Sequence, residues 1–304
     1  MSNSGIKIFA PACISMHSFG IPDLSIAIDN PGIEIIAHID EKDISSKIDL
    51  YSKEKEDVNN TKKVVLDITN GFLKHINSDK GVRLEILNKI PFDSGLGQIE
   101  AAITGSVVAI NDLIKSHLGK KEIFDFIINK IQEYNLEIIP SNIAANLFGG
   151  IILYNKNTAN PIQKIYNPHG INFSIILMKR KLNDNIFDKI NTSHLLKQSS
   201  NTALLIKGLM ISDLDLISDA LKNNELEQFF AKNDILFEKI KEISYKNKVY
   251  STGFSHLGES IIIINPNTLI AEQNNTELVE YLNSQGKIFK IINSKINLNG
   301  LYKY

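Results

Sequence analysis

The sequence predicts an α+β protein of two lobes that share one core. Blocks of strand pattern and helix pattern follow one another twice over, in uneven groups. No Pro/Gly/Ser-rich linker, low-complexity tract or internal repeat separates the groups. The 304 residues, 43% hydrophobic and 22% charged, have an ordinary globular composition and suffice for one large domain or two fused lobes. The expected division falls after residue 155, giving a first lobe over 1–155 and a second over 156–304.

The elements follow in order. Ile6, Ile8 and Ala10 alternate before Pro11, as in an opening strand. Gly32–Asp40 reads as a second strand and Val82–Ile90, which alternates cleanly, as a third. Between them Val64, Val65, Ile68 and Phe72 give Thr61–His75 the 3.6-residue period of an amphipathic helix. The polar stretch LYSKEKEDVNNTKK reads as a solvated loop. Ile99–Leu113 is apolar nearly all round, which predicts a buried helix, with the small residues Ala101, Ala102, Gly105 and Ser106 along it. Helices at Glu122–Tyr134 and Asn142–Phe148 and strands at Gly149–Tyr154 and Phe173–Met178 follow. In the second half, Asn201–Ala220 and Glu225–Ile243 read as two long helices. Lys248–Phe254 and Glu259–Pro266 read as a hairpin, Thr276–Ser284 as a helix and Lys287–Asn293 as a last strand.

Charge and composition narrow the function. A net charge of −1 gives no basic field for nucleic acid or an anionic membrane. Arginine occurs only as Arg83 and Arg180, so positive charge comes from lysine, a poor bidentate fork for carboxylate or phosphate. The single cysteine, Cys13, excludes an intrachain disulfide and fits a reducing compartment. No apolar run approaches the ~20 residues of a membrane span, and the N-terminus lacks the pattern of a secretory signal. The expectation is a cytoplasmic protein acting on a small-molecule metabolite.

Chemistry concentrates in three stretches. IPFDSGLGQIEAA, from Ile90 to Ala102, reads as a strand end, a Gly95-Leu96-Gly97 turn and the start of an apolar helix. Such turns cradle phosphates, because backbone N–H groups and a helix N-terminus point at the anion; a tight turn with close backbone packing has the same pattern. STGFSHLGES joins two strands and offers Ser255, His256, Gly258 and Ser260, or is simply a hairpin turn. LEIIPSNIAANLFGG places Glu137 ahead of a short helix with Asn142 near its start, either a metal-binding carboxylate or an exposed acid beside an N-cap. His17, His169 and His256 are candidate bases; no His pair has metal spacing. A packed thiol is the plainer reading of Cys13.

Together and in order, these segments resemble homoserine kinase of the GHMP small-molecule kinase superfamily, from Ile6 to about Gly300. The family's opening P-A-S-S-A-N-L-G-P-G-F-D-x-L-G-L-A-L is matched by PACISMHSFGIPDLSIAI, Pro11 to Ile28. Its I-P-x-x-x-G-L-G-S-S-A-A loop is matched by IPFDSGLGQIEA, its E-G-H-x-D-N-V-A-P-A-L-x-G-G by EIIPSNIAANLFGG, and its S-G-A-G-P-S turn by SHLGES. The tail SKINLNG, Ser294–Gly300, has the same likeness. The resemblance implies a two-lobed α+β GHMP-kinase fold, with a ribosomal-protein-S5-like N-terminal lobe and a ferredoxin-like C-terminal lobe, and a homodimer. It implies ATP between the lobes with its phosphates over Gly95, Leu96, Gly97 and Gln98, faced by Ser255 and Gly258. Mg²⁺ would be held by Glu137. The amino-acid substrate would meet the positions of Met16, His17, Asp23, Ser141 and Asn142.

The departures fall on side chains rather than on the glycines. The two loop serines are Gln98 and Ile99, and the next Ala is Glu100. In the last turn the first Gly is His256, the Ala is Leu257 and the Pro is Glu259. The opening segment has Met16 for Asn and Pro22 for Asp, with Asp23 adjacent; the third has Ile139 for His and Ser141 for Asp. The two family arginines fall at Phe187 and Phe230. A carboxylate about 4 Å from a phosphate charge costs roughly 4 kcal/mol at an effective dielectric of ~20, so Glu100 and Glu259 oppose ATP if they face it. Three readings stand open. In the leading one the cleft is remade for a non-kinase reaction on a polar, amino-acid-like metabolite, with Glu100, Glu137, His256 and Glu259 as acid–base groups and no cofactor. The others are a genuine homoserine kinase using ATP and Mg²⁺, and an inactive relative that binds a metabolite or partner.

Overall fold

The computed structural model describes residues 5–16, 19–21, 23–52, 58–134, 138–165, 170–178, 190–231, 234–256 and 260–304. Among them the chain builds two sheets. The larger has seven strands in the order β11-β1-β2-β4-β3, with β5 also on β2 and β6 on β5; the smaller runs β10-β7-β9-β8. In the larger sheet β1 (Ile6–Ser15) pairs antiparallel with β2 (Leu24–Asp40), from Ile6 opposite Ala37 to Ser15 opposite Ser25. The register shifts between Pro11 and Ala12. Proline cannot donate to a ladder, and a bulge accommodates it. The 17-residue β2 serves two neighbours, β4 (Gly81–Asn88) along Ile33–Asp40 and β5 (Ile151–Tyr154) along Leu24–Ile26. A strand at Gly32–Asp40 was expected; the pairing with β5 extends it back to Leu24.

Helix α2 (Gln98–Ile114) lies buried over β1 and β2. Its small residues permit that closeness: a Cβ on Gly105 would stand 2.3 Å from Ile35 Cδ1 and 3.0 Å from Ala10 Cβ. Beside α2 run α1 (Val58–His75), α3 (Lys120–Tyr134) and α4 (Pro140–Phe148). β3 (Ser46–Ser52) pairs parallel with β4, and α1 crosses between them, as a parallel pair requires. β3 was not expected. Its last residues belong to the stretch read as a solvated loop, and its partner lies thirty-odd positions on.

In the smaller sheet β7 (Asn172–Met178) and β9 (Ser260–Asn265) are central, flanked by β10 (Phe289–Lys295) and β8 (Ser251–Ser255). The four isoleucines of β9 are buried on both faces. Ile261 and Ile263 join Phe237 and Phe254, packing with α8 (Ile235–Lys246) and α9 (Thr268–Ser284); Ile262 and Ile264 join the main core with Phe173 and Ile175. The continuous core of the two lobes is thus a property of alternation along one strand. β6 (Ile162–Ile165) and β11 (Tyr302–Lys303), both beyond residue 155, pair into the larger sheet.

In place of the two long helices expected in the second half stand four: α5 (Thr192–Ile211), as long as either but starting nine residues earlier than the first, and the shorter α6 (Leu214–Lys222), α7 (Glu227–Phe230) and α8. Ser212 closes α5 at φ 57°, and the Asp213 side chain at once accepts from the Leu216 N–H to open α6. Asp234 caps α8 on the Phe237 N–H. α9 begins eight residues earlier than its apolar period indicated, because Asn267 caps it on Ile270 N–H.

Candidate functional site

The glycine turn is built from carbonyls. Both Gly95 (φ 66°) and Gly97 (φ 70°) are left-handed, a conformation that costs residues with a Cβ ~1–2 kcal/mol each. Ser260 Oγ donates to the Ser94 carbonyl at 2.6 Å and Ser255 Oγ to the Gly95 carbonyl at 2.6 Å. The Cys13 N–H donates to the Leu96 carbonyl at 2.9 Å, and the Ala101 N–H to that of Gly97 at 3.0 Å. The turn is therefore fastened by β1 on one side and by the β8–β9 hairpin on the other. In a trans peptide the N–H points opposite the C=O, so these amides face away from their fasteners. Among the described residues no partner meets the N–H groups of residues 95–100. A row of backbone donors at the N-terminus of a 17-residue helix has the geometry that receives an anion. Leu96 itself is buried.

Two side chains of the turn go inward. Gln98 is buried; its Oε1 accepts from Thr61 Oγ1 at 3.2 Å, tying α1 to the turn, while Nε2 has no partner. Glu100, 7% exposed, directs Oε1 to the start of α4, accepting from the Ile139 N–H at 3.1 Å and Asn142 Nδ2 at 3.3 Å. Asn142 Oδ1 can only accept, so Ser25 Oγ donates to it at 2.7 Å and Ser141 Oγ donates to Ser25 at 2.8 Å. The chain Ser141→Ser25→Asn142→Glu100 runs one way and ends on a carboxylate, the arrangement in which each bond polarises the next. The charge also sits on the N-terminus of α4, where an anion is favoured. Burial, and then the charge of Glu100, raise the pKa of Cys13, which donates Sγ–H to the Asn142 carbonyl at 3.5 Å and accepts from Asn146 Nδ2.

The opening segment closes over the same region. Met16 is buried, and its carbonyl accepts from the N–H groups of Phe19 and Ile21. The Phe19 ring lies on Gly253 of β8, where a Cβ would come within 2.3 Å of it. Gln198 of α5 donates to the Phe19 carbonyl and accepts from the Glu225 N–H, so α5 holds this wall in place. Asp23 is at the surface, and desolvation by its neighbours raises its carboxyl pKa. His256 stands at φ 47° with its N–H on the Ser15 carbonyl at 3.2 Å. A histidine tolerates that conformation better than most residues, at a position where the resemblance has glycine.

The structure thus gathers Gly95, Leu96, Gly97, Gln98, Glu100, Ser141, Asn142, Ser255 and His256 around one turn, with Met16 in the adjoining wall. Asp23 stands apart at the surface. His17, Pro22, Glu137, His169, Arg180, Phe187, Leu257, Gly258 and Glu259 lie outside the described residues. Among the described residues no group of three His, Cys, Asp or Glu side chains could hold a metal ion. Arg83 binds Asp49 across β3 and β4 and takes no part. Sequence reasoning missed Thr61, Ser25 and Gln198. Thr61 leaves a trace, a polar residue on the buried face of α1; Ser25 and Gln198 leave none.

No protein-family model matches the chain. Its sequence is similar to the homoserine kinase of Sulfurisphaera tokodaii, 26% identical over 193 residues, 60% of this chain and 62% of that protein. It is also similar to that of Saccharolobus islandicus, 24% identical over 206 residues, 63% and 66% of the two chains. The match spans just under two thirds of these relatives' length. In fold it superposes on the homoserine kinase from Cytophaga hutchinsonii with a TM-score of 0.86 at 22% identity, covering 100% of this chain and 98% of that one. The mevalonate kinase of Methanococcus jannaschii gives 0.76 at 18%, covering 97% and 99%. The fold is the α+β fold of the GHMP kinases, and the sequence is homoserine-kinase-like. Among the described residues no helix is long and apolar enough to cross a membrane.

Proposed function

We propose that this homoserine-kinase-like chain transfers a phosphoryl group from ATP to the hydroxyl of a small amino-acid-like metabolite, homoserine being the first to test. The row of unpartnered amides at residues 95–100 carries the reading. The residues fit a polyphosphate: the donors are backbone, their carbonyls are fastened by Ser255, Ser260 and Cys13, and the cradle needs no arginine. Preorganised donors of this kind are what phosphoryl transfer requires, since its catalysis is mostly positioning and charge stabilisation. ATP with Mg²⁺ would supply the phosphoryl group and neutralise its charge. Glu137 is the residue proposed to hold the metal; Gln98 replaces the hydroxyl that would have assisted it.

In this reading Glu100 is a positioning residue. Its carboxylate binds the α4 N-terminus, which reduces the repulsion that an outward acid would impose on a phosphate. Ser141 and Asn142 are fixed by the same network at the mouth of α4, and with Met16 and His17 are proposed to face the acceptor; Asp23, at the surface, is left out of that set. His256 borders the cradle from the other lobe.

One observation favours the remade-cleft reading: where the resemblance has a serine hydroxyl, the Gln98 side chain turns inward onto Thr61 and leaves its amide nitrogen buried and unpartnered. Calorimetric titration with ATP·Mg²⁺, with and without homoserine, separates the two, followed by phosphorus NMR of the products. Micromolar binding with a new phosphate ester, weakened at least tenfold by Ser255→Ala, supports the kinase. Absence of ATP binding at millimolar concentration overturns it and leaves a remade or inert cleft.

A further inference from the structure

We infer that Gln198 is a positioning residue: its side-chain amide fixes the wall formed by Met16, Phe19 and Ile21, and through that wall the affinity of the cleft for its acceptor. That the wall faces an acceptor rests on the phosphoryl-transfer reading; the hold of Gln198 on the wall does not. The buried face of α5 is Gln198, Leu205, Gly208 and Leu209. The helical period calls for a hydrophobe at the first of these, yet the residue there is a long amide, 5% exposed.

A buried amide is costly unless its ends are bonded, and here both are. Nε2 donates to the Phe19 carbonyl at 2.9 Å, and Oε1 accepts from the Glu225 N–H at 3.0 Å. One side chain therefore joins three segments far apart in sequence: the turn that follows β1, helix α5 and the connection between α6 and α7. The turn itself is bonded inward. The Phe19 and Ile21 N–H groups both donate to the Met16 carbonyl at 3.1 Å, the Leu24 N–H to Ile21 at 3.2 Å and the Met16 N–H to Leu24 at 3.0 Å. These bonds close the turn and make Met16 move with Phe19, but they do not fix it to the second half of the chain.

Phe19 supplies that hold twice, through its ring on Gly253 of β8 and its carbonyl on Gln198. The ring contact is not directional; the hydrogen bond is, and it sets the orientation of the turn. Gly20 shows how close the amide lies. At φ 78° it has room for no side chain, because a Cβ would stand 2.4 Å from Gln198 Nε2 and 2.5 Å from its Cδ. Lys197, 3.9 Å from the Glu225 carboxylate, steadies the same connection from outside. The glycine turn has different fasteners, Ser255, Ser260 and Cys13. Losing the Gln198 amide should therefore loosen the acceptor wall and leave the anion side intact.

Steady-state kinetics and hydrogen exchange on the full chain test this. Gln198→Met keeps the length of the side chain and removes both bonds; Gln198→Asn keeps a buried amide one methylene short of the Phe19 carbonyl. In each, the KM for homoserine should rise by about fivefold or more, the factor that one neutral hydrogen bond carries. The kcat and the Kd for ATP should stay within about twofold of the parent. The Phe19 and Ile21 amides should exchange at least about tenfold faster. Gly105→Ala, destabilised elsewhere, should change neither KM nor that exchange. An unchanged KM, an unchanged exchange rate, or a KM rise matched by an equal loss of ATP affinity overturns the inference. If Gln198→Met does not fold, Gln198→Asn decides. A parent that does not phosphorylate homoserine refutes the phosphoryl-transfer reading separately, and the exchange of Phe19 and Ile21 then decides alone: unchanged protection in the variants overturns the hold of Gln198 on the wall.

Discussion

Replacing Glu100 by alanine tests whether that carboxylate supports the fold or the chemistry. The substitution removes two charge-assisted bonds, to the Ile139 N–H and to Asn142 Nδ2, and strips the anion from the α4 N-terminus. Hydrogen bonds to a charged group contribute about 1.5–3 kcal/mol each and the helix-end charge about 0.5–1. Against that, a carboxylate only 7% exposed is costly to desolvate, which brings the expected net loss to about 2–3 kcal/mol. For 304 residues, at ~2.1 cal/mol/K per residue, the melting temperature should fall by about 3–5 °C. Glu100→Gln keeps an acceptor for Ile139 and should lose about half as much. Thermal unfolding of the three proteins is the assay, with turnover measured below the transition. A variant that melts with the parent but has lost all turnover would refute the positioning role and return Glu100 to the reacting groups.

Gly97→Ala should cost about 1–2 kcal/mol in urea unfolding from the left-handed φ. It should also weaken the ATP binding proposed for the turn, because the new Cβ would stand 3.1 Å from Asn142 Nδ2. Gly105→Ala forces a Cβ onto Ile35 and Ala10 and should destabilise by about 1–3 kcal/mol with ligand binding per folded molecule unchanged. Burial raises the Cys13 pKa, so the folded chain holds that proton more tightly than the unfolded one. The contribution is complete below the unfolded thiol value of about 8.5 and is lost as pH rises from there toward the folded value. Stability should therefore decline above about pH 8.5, less steeply in Cys13→Ala. At pH 8 iodoacetamide should label Cys13 only after unfolding.

The sequence by itself determined the elements whose partners are their own neighbours. The clean alternation of Val82–Ile90, the apolar run after Gly97 and the four isoleucines of β9 state their burial locally, because side-chain direction follows from backbone period. The two glycines likewise announced a tight turn, and four ordered motifs announced the fold. What depends on distant contacts was silent. β3 is a strand because β4 lies beside it, and α5 stops at Ile211 because Ser212 and Asp213 cap in opposite directions. Glu100 illustrates the same limit at the site. Its position in the motif is plain from sequence, but a residue on a helix can face a ligand or a neighbouring helix. Only the packing of α4 against α2 brought the Ile139 N–H and Asn142 within reach and turned the carboxylate inward. Motif order pointed to where the candidate site lies; which side chains turn toward or away from it was decided by the helices and strands packed around the turn.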